Sequence, residues 1–297
     1  MRAPAAAVIA AAACAAAALP ALAQDPGEVD LPWPSMLPSQ PVPASIQPHG
    51  VAHCRRASVR CTDDLIRRLR LQWRALDAAC DHRALFSLAY LRITKGLRDY
   101  PFQDKRWMRY VIGDFSNHYF EYFRDYARGR PVPGAWKIAY DEAMHGDASG
   151  GADVLLASNA HTQHDLPFIY AEMGMVSPSG RSHKPDHDAV NVVNARVFDG
   201  LEDYYADHYD PLFKWIDLKP SPLDEIGTQQ MVQMWREGAW RNAERLINAK
   251  TAAERRQVAD SIEETSVLWA RFMTSGDMPG YRAQRDAYCR SRHSTPS

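Results

Sequence analysis

Apolar residues recur at helical spacing along most of this chain, and no alternating run of apolar and polar residues is long enough for a useful strand. After Thr62, for example, Leu65, Leu69, Trp73 and Leu76 fall on one side of a helix. We find no internal repeat. The pattern predicts an all-α fold, a single bundle-like domain of about eight helices. The first predicted helix starts near residue 62, and the others cover 82–97, 104–127, 135–145, 152–174, 186–207, 226–249 and 252–273.

The first 58 residues differ from this helical part. Residues 1–23 combine Arg2, an alanine-rich apolar run and the cleavage sequence Ala21–Leu22–Ala23, which together predict a secretory signal peptide. Residues 24–58 contain many prolines, so we expect a leader that is extended or disordered. The helical domain is assigned to residues 59–292.

Composition indicates an exported protein. Beyond the signal, no segment is apolar for long enough to span a bilayer, and a periplasmic location follows if the source is Gram-negative. The formal net charge is -1, from 35 basic and 36 acidic residues. Such a balance gives no electrostatic reason to expect nucleic-acid binding or a polybasic membrane patch. The oligomeric state is not predicted.

Four cysteines remain after the signal peptide: Cys54, Cys61, Cys80 and Cys289. An even number in an oxidising compartment favours two disulfides, for which three pairings are open. A bridge from Cys54 to Cys61 would close a short loop, and one from Cys80 to Cys289 would tie an early helix to the C-terminal tail. A zinc site is the alternative, although the spacings contain no C-x-x-C pair.

The segment from Asn159 to Pro167 gives the clearest indication of chemistry. It places His161 and Asp165 four residues apart, on one face of a predicted helix. The pair can bind one metal ion, or the carboxylate can orient the imidazole for proton transfer. His164, one step from Asp165, is expected to point about 100° away around the helix. Pro167 should bend the helix beside the pair.

Two further helices carry polar residues that could complete a site. Asp114 and His118 repeat the four-residue spacing, and together with His161 and Asp165 they could supply four metal ligands in a bundle core. The alternative is that Asp114 and His118 only hydrogen-bond each other on the surface.

Asp186 is a further candidate ligand or general base, or else a helix cap. Arg236, between Trp235 and Trp240, could hold a carboxylate or phosphate group, or simply pair with Glu237 on the surface.

Several phrases together resemble a bacterial family described as a domain of unknown function, which is all-helical. The resemblance covers about residues 60–275 and is carried by four segments: 117–120, 159–167, 186–191 and 236–240. The family pattern does not require histidine at the positions of His164 and His187. The resemblance therefore places His118, His161, Asp165 and Asp186 ahead of both.

The His-x-x-x-Asp pair followed by proline is also similar to a pattern in zinc-dependent phospholipases C and single-strand nucleases. Those exported helical enzymes hydrolyse phosphoesters with a cluster of zinc ions. The chain departs from them because it lacks a tryptophan ligand at the mature N-terminus and the full set of histidines. The resemblance thus implies a site with one or two metal ions rather than three.

The leading hypothesis from sequence is a secreted, metal-dependent hydrolase, acting on a phosphoester or lipid-like substrate. The divalent metal, zinc in the first place, would be bound by His118, His161, Asp165 and Asp114. Asp165 or Asp186 would assist catalysis, and Arg236 would hold the anionic part of the substrate. The alternatives are a non-catalytic helical protein that binds a small apolar ligand and a protein whose polar pairs only join helices.

Overall fold

The helical periodicity of the sequence is realised directly in the structure, a computed structural model of the 297-residue chain. The structure describes residues 31–44, 54, 57–198, 200–213, 223–276 and 278–293; for residues 223–226 it describes the backbone alone. The predicted signal peptide (1–23) and parts of the predicted leader lie outside the described residues. The helices follow in this order: α1 Trp33–Met36, α2 Val59–Ala78, α3 Ala84–Asp99, α4 Lys105–Ala127, α5 Gly134–His145, α6 Gly150–Asn159, the π-helical segment Ala160–Asp165, α7 Leu166–Met173, α8 Lys184–Phe198, α9 Glu202–His208, α10 Leu223–Asn248, α11 Ala252–Thr274 and α12 Tyr281–His293.

The all-α prediction is confirmed, and the described residues contain more helices than the eight predicted. In the part of the chain that the structure describes, β pairing is limited to an isolated bridge between Val176 and Ser182. The helix predicted over 186–207 is divided into α8 and α9 near Gly200, which the sequence pattern did not indicate. Helix α12 was not predicted because its sequence is dominated by charged residues, including a buried Arg285 on its inner side. Among the described residues, no helix has both the length and the apolar character needed to cross a membrane.

Local sequence signals explain where several helices begin. The Asp104 side chain accepts hydrogen bonds from the backbone N–H groups of Arg106 and Trp107, at the start of α4. Thr251 and Glu254 form a reciprocal capping box at the start of α11. Such caps satisfy backbone donors that have no partner inside the helix.

The apolar side chains pack in two clusters. The first surrounds Trp136, which is fully buried, and joins residues of α2, α3, α5 and α6. The second surrounds Trp107 and Tyr170 and joins residues of α4, α7, α8 and α10. Phe115 and Phe120 of α4 pack against both clusters. Helix α4 and the π-helical segment therefore lie where the two halves of the core meet.

The described part of the leader lies along α10. Apart from the single turn of α1 it is without regular secondary structure. The Trp33 indole donates to Gln230 Oε1 at 3.0 Å, and the Gln40 backbone N–H donates to Glu244 Oε2 at 2.8 Å.

Cys54, Cys61, Cys80 and Cys289 form two disulfides, as predicted. Cys54 pairs with Cys61, and Cys80 pairs with Cys289. The second bridge joins residues 209 positions apart and ties α12 to the end of α2. Closing so long a loop restricts the unfolded chain strongly, which favours the folded state.

A buried ionic cluster provides the second anchor of α12. Arg285 is 1% exposed; its Nη1 donates to Asp153 Oδ2 at 2.7 Å and to the Ala148 carbonyl at 2.6 Å. Its Nε lies 3.4 Å from Asp210 Oδ2. Burial raises the pKa of Asp153 to about 6, even though Arg285 opposes this shift. The carboxylates depend on Arg285 because both residues are buried and a charge in such a place needs a partner.

We predict that Arg285→Met lowers the free energy of unfolding by about 3 kcal/mol or more, because it leaves two buried carboxylates without their cation. Chemical denaturation followed by circular dichroism measures the change. The matched control is Arg290→Met on the same helix, where the side chain is 64% exposed and pairs weakly with Asp286. The control should change stability by less than about 1 kcal/mol. Equal effects of the two substitutions would contradict the anchoring role of Arg285.

Candidate functional site

The segment containing His161 and Asp165 is not regular α-helix. The chain passes from α6 through a π-helical turn, Ala160–Asp165, into α7. Pro167 stands near the start of α7 and has no N–H group to donate to the carbonyl of Gln163. The wider turn thus occurs where the regular hydrogen-bond ladder is interrupted, as π-bulges often do at functional sites.

The carboxylate of Asp165 is the centre of a buried cluster, and its residue is 0% exposed. Oδ2 accepts hydrogen bonds from His161 Nδ1 at 2.8 Å and from Trp136 Nε1 at 2.9 Å. Oδ1 accepts one from His164 Nδ1 at 2.8 Å. Burial by itself raises the pKa of this carboxyl, but the bonds from the two histidines outweigh it and lower the pKa to about 2. Asp165 is therefore a carboxylate at neutral pH.

His164 belongs to this cluster, so the expectation that it points away from Asp165 was wrong. That expectation assumed 100° per residue, whereas the π-helical turn changes the angular spacing of the side chains. The second ring nitrogen of His164 lies 3.2 Å from Glu263 Oε2 on α11. Burial lowers the pKa of His164, but its bonds to Asp165 and Glu263 prevail and raise it to about 9. His164 is thus an imidazolium between two carboxylates.

His161 is held in an aromatic enclosure. Its ring stacks on Phe115 with centroids 3.3 Å apart, and the rings of Tyr90 and Trp136 lie at 4.8 and 5.6 Å. Burial lowers the pKa of His161, although Asp165 acts in the opposite direction. Because the Asp165 carboxylate can only accept, Nδ1 carries the proton of the neutral ring. The lone pair of Nε2 is then free, and this buried atom has no hydrogen-bond partner.

Asp114 and His118 face the same region from α4. Asp114 is 3% exposed, so it does not lie on the surface as one alternative had it. Burial raises its pKa, an effect that nearby His118 reduces. His118 also lowers the pKa of His161, which places the three groups within electrostatic range of one another. Asp114 Oδ2 and His118 Nδ1 are both buried and have no hydrogen-bond partner.

Asp186 has a structural role away from this cluster. Its two carboxylate oxygens accept the backbone N–H groups of Gln103 and Asp104, each at 2.7 Å. These bonds fix the chain where it enters α4. None of them reaches Asp165, so the structure does not bring Asp186 to the predicted ligands.

Arg236 is also used inside the fold. Its Nε donates to Asn191 Oδ1 at 2.7 Å, and Nη2 donates to the carbonyl of His187 at 2.6 Å. The side chain is buried between α10 and α8, with the residue 5% exposed. The Nε and Nη2 groups of Arg236 thus join the two helices, which differs from the predicted pairing with a substrate anion.

Potential metal ligands come within 4.8 Å of one another in two groups of described residues, and neither contains the predicted ligands. In the first group, His187, Asp188 and Glu237, the Lys184 ammonium pairs with both carboxylates and lies 2.8 Å from Glu237 Oε2. The Lys184 ammonium therefore already supplies the positive charge that a metal ion would bring to Asp188 and Glu237. The second group is Cys80, Cys289 and His293, in which the sulfurs are joined as a disulfide.

A small cleft of about 50 Å³ lies between α8 and α10, and amide side chains make up much of its lining. They are those of Asn191, Asn194, Gln229 and Gln233. Ala195, Phe198 and Val232 add apolar surface to the same cleft.

The fold and the site together define an all-helical protein with a buried carboxylate–imidazole cluster. The chain belongs to a family of unknown function, DUF5995, whose family model matches residues 62–276. This confirms the resemblance to an uncharacterised family. No curated protein and no solved structure is significantly similar to the chain. The similarity to zinc phospholipases and nucleases stays a prediction.

We predict that the His164 imidazolium makes stability depend on pH. Its pKa is about 9 in the folded chain against 6.5 for an unperturbed histidine. A raised folded-state pKa contributes stability that is fully present below pH 6.5 and lost as the pH rises through 9. The difference in unfolding free energy between wild type and His164→Asn should therefore shrink over this interval, as measured by urea denaturation.

His145→Asn is the control for this experiment, since His145 is exposed at the end of α5. Its stability difference from wild type should stay nearly constant over the same pH interval. A difference for His164→Asn that does not change with pH would show that His164 is not charged in the folded protein.

Proposed function

We propose that the chain is an exported, metal-dependent hydrolase, with His161, His118 and Asp114 as the ligands of a divalent metal, zinc in the first place. One observation carries the proposal: three buried ligand-type atoms lack a hydrogen-bond partner in one region. They are His161 Nε2, His118 Nδ1 and Asp114 Oδ2. Buried polar atoms normally have partners, and two imidazoles with one carboxylate are a ligand set of catalytic zinc.

The role of Asp165 in this proposal differs from the one predicted from sequence. Both of its oxygens accept hydrogen bonds, so it is better suited to orient His161 than to bind metal directly. Metal-binding histidines commonly donate their other ring N–H to a carboxylate in this way. Asp165 would hold His161 in the tautomer that leaves Nε2 available.

The three ligand atoms do not all lie within 4.8 Å of one another, so metal binding requires a rearrangement. His118 is the residue most able to move, because it is half-buried whereas Asp114 and His161 are buried. Rotation of its side chain would bring an imidazole nitrogen toward the other two ligands.

His161, His118 and Asp114 would hold the metal with a position left for water, and the metal would supply the Lewis acidity that makes this water a nucleophile near neutral pH. Hydrolysis is thus the reaction type that this ligand set favours. We retain a phosphoester or lipid-like substrate as part of the proposal. Arg236 gives no support for this substrate class, because its guanidinium bonds to Asn191 and His187.

We predict that purified protein dialysed against zinc retains about one ion per chain, consistent with a single three-ligand site. His161→Ala and His118→Ala should each reduce zinc affinity by at least about tenfold. Metal content is measured by inductively coupled plasma mass spectrometry, and affinity by competition with a chromogenic chelator. Circular dichroism confirms that each variant is folded.

His145→Ala is the matched control, since this exposed histidine lies apart from the proposed ligands and should leave zinc content unchanged. Wild-type protein that binds neither zinc nor manganese would contradict the proposal. In that case, a loss of stability in His161→Ala without other effect would favour a purely structural role for the cluster.

A further inference from the structure

A second group of reactive side chains lies at the C-terminal helix, independent of the proposed metal site. His293 Nδ1 is 3.5 Å from Cys289 Sγ and 3.7 Å from Cys80 Sγ, so one imidazole contacts both sulfurs of a disulfide. The other ring nitrogen, Nε2, lies 3.3 Å from Asp77 Oδ1. Carboxylate, imidazole and sulfur thus follow one another in the order typical of a cysteine activated by histidine.

Each ring nitrogen of His293 faces a hydrogen-bond acceptor. Nδ1 also lies 3.0 Å from the carbonyl oxygen of Cys289, which can only accept a hydrogen bond. Nε2 faces the Asp77 carboxylate, which in turn accepts a hydrogen bond from the Tyr209 hydroxyl at 2.5 Å. An imidazole between two acceptors can donate from either nitrogen, and an N–H at Nδ1 is directed between the carbonyl and the sulfurs.

The two disulfides of the chain differ in access. Cys54 and Cys61 are 1% and 8% exposed. At the other bridge, Cys289 is 3% exposed, but Cys80 is partly exposed and the His293 side chain is 29% exposed. A small thiol arriving from solvent therefore meets the sulfur of Cys80 first. The same molecule contains a buried disulfide that serves as an internal reference.

We propose that Cys80–Cys289 is a thiol-exchange site for low-molecular-weight thiols, with His293 as the acid that assists the leaving sulfur. A thiolate attacks Cys80 Sγ and forms a new S–S bond there, while the Cys80–Cys289 bond breaks and its electron pair goes to Cys289 Sγ. The proton of His293 Nδ1 moves to that sulfur, and the neutral imidazole regains a proton from water. The products are a mixed disulfide on Cys80 and a thiol at Cys289, with no net change in oxidation state.

Opening the bridge leaves α12 in place, which makes the exchange reversible. Arg285 still binds Asp153, and Tyr288 donates to the Ala206 carbonyl at 2.8 Å. Cys289 therefore stays beside Cys80, and its thiol can attack the mixed disulfide and release the small thiol. The His293 imidazole, with Nδ1 unprotonated after the first step, is then the base that accepts the Cys289 proton.

The test exposes the full-length protein to reduced glutathione, quenches samples by alkylation and follows each cysteine by peptide mass spectrometry. The glutathione adduct should form on Cys80, while Cys54–Cys61 stays closed. His293→Gln should slow adduct formation by about tenfold or more, as expected when a positioned acid is removed. Asp77→Asn should also slow it, because the asparagine removes the carboxylate that faces Nε2 and orients the ring.

His145→Gln is the matched control and should react at the wild-type rate. Melting temperatures of all variants show whether a change in rate reflects chemistry or a loosened helix. If His293→Gln is destabilised, the rate of adduct formation in Asp77→Asn tests the proposal instead. Unchanged rates in folded His293→Gln or Asp77→Asn would overturn the proposal, and so would an adduct mainly on Cys289. Faster exchange in His293→Gln would show that the histidine only shields the bridge, which also overturns it.

Discussion

The buried carboxylate of Asp165 is the interaction on which the centre of the fold depends. A charge removed from water is tolerated only when donors replace its hydration, and Asp165 receives three. Trp136 brings α5 to it, and His164 connects it to Glu263 on α11. Glu263 in turn accepts the backbone N–H of Gly134 at 2.7 Å, at the start of α5. One negative charge therefore fixes the π-helical segment, α5 and α11 against one another.

The same bonds decide what His161 can do chemically. The Asp165 carboxylate holds the proton on Nδ1, and the aromatic enclosure fixes the plane of the ring. As a result, the buried Nε2 atom of His161 has a free lone pair and no hydrogen-bond partner. Similar unpartnered atoms on Asp114 and His118 lie within electrostatic range, on a helix that packs against the π-helical segment. A stable fold would not by itself require three such atoms in one region, and a bound cation would satisfy them together.

The sequence predicted those contacts that depend on spacing within one helix. His161 and Asp165 do bond to each other, and His118 of α4 lies within electrostatic range of His161. The prediction failed where a change of helix type or a distant partner decides the outcome. His164 bonds to its neighbour Asp165 inside the π-helical turn, Trp136 reaches Asp165 from 29 positions away, and Glu263 reaches His164 from the distant helix α11. Asp186 and Arg236 bind groups on other elements that no local pattern reveals.

The two proposed sites also differ in how they relate to the family. Residues 62–276 match the family of unknown function, and this range includes Asp114, His118, His161 and Asp165. Helix α12, Tyr281–His293, lies beyond it and is joined to the matched domain by Arg285 and by Cys80–Cys289. The proposed metal ligands therefore all lie within the family domain. The proposed thiol exchange depends on His293 and Cys289, which lie outside that domain. The two proposals can therefore be tested independently of each other.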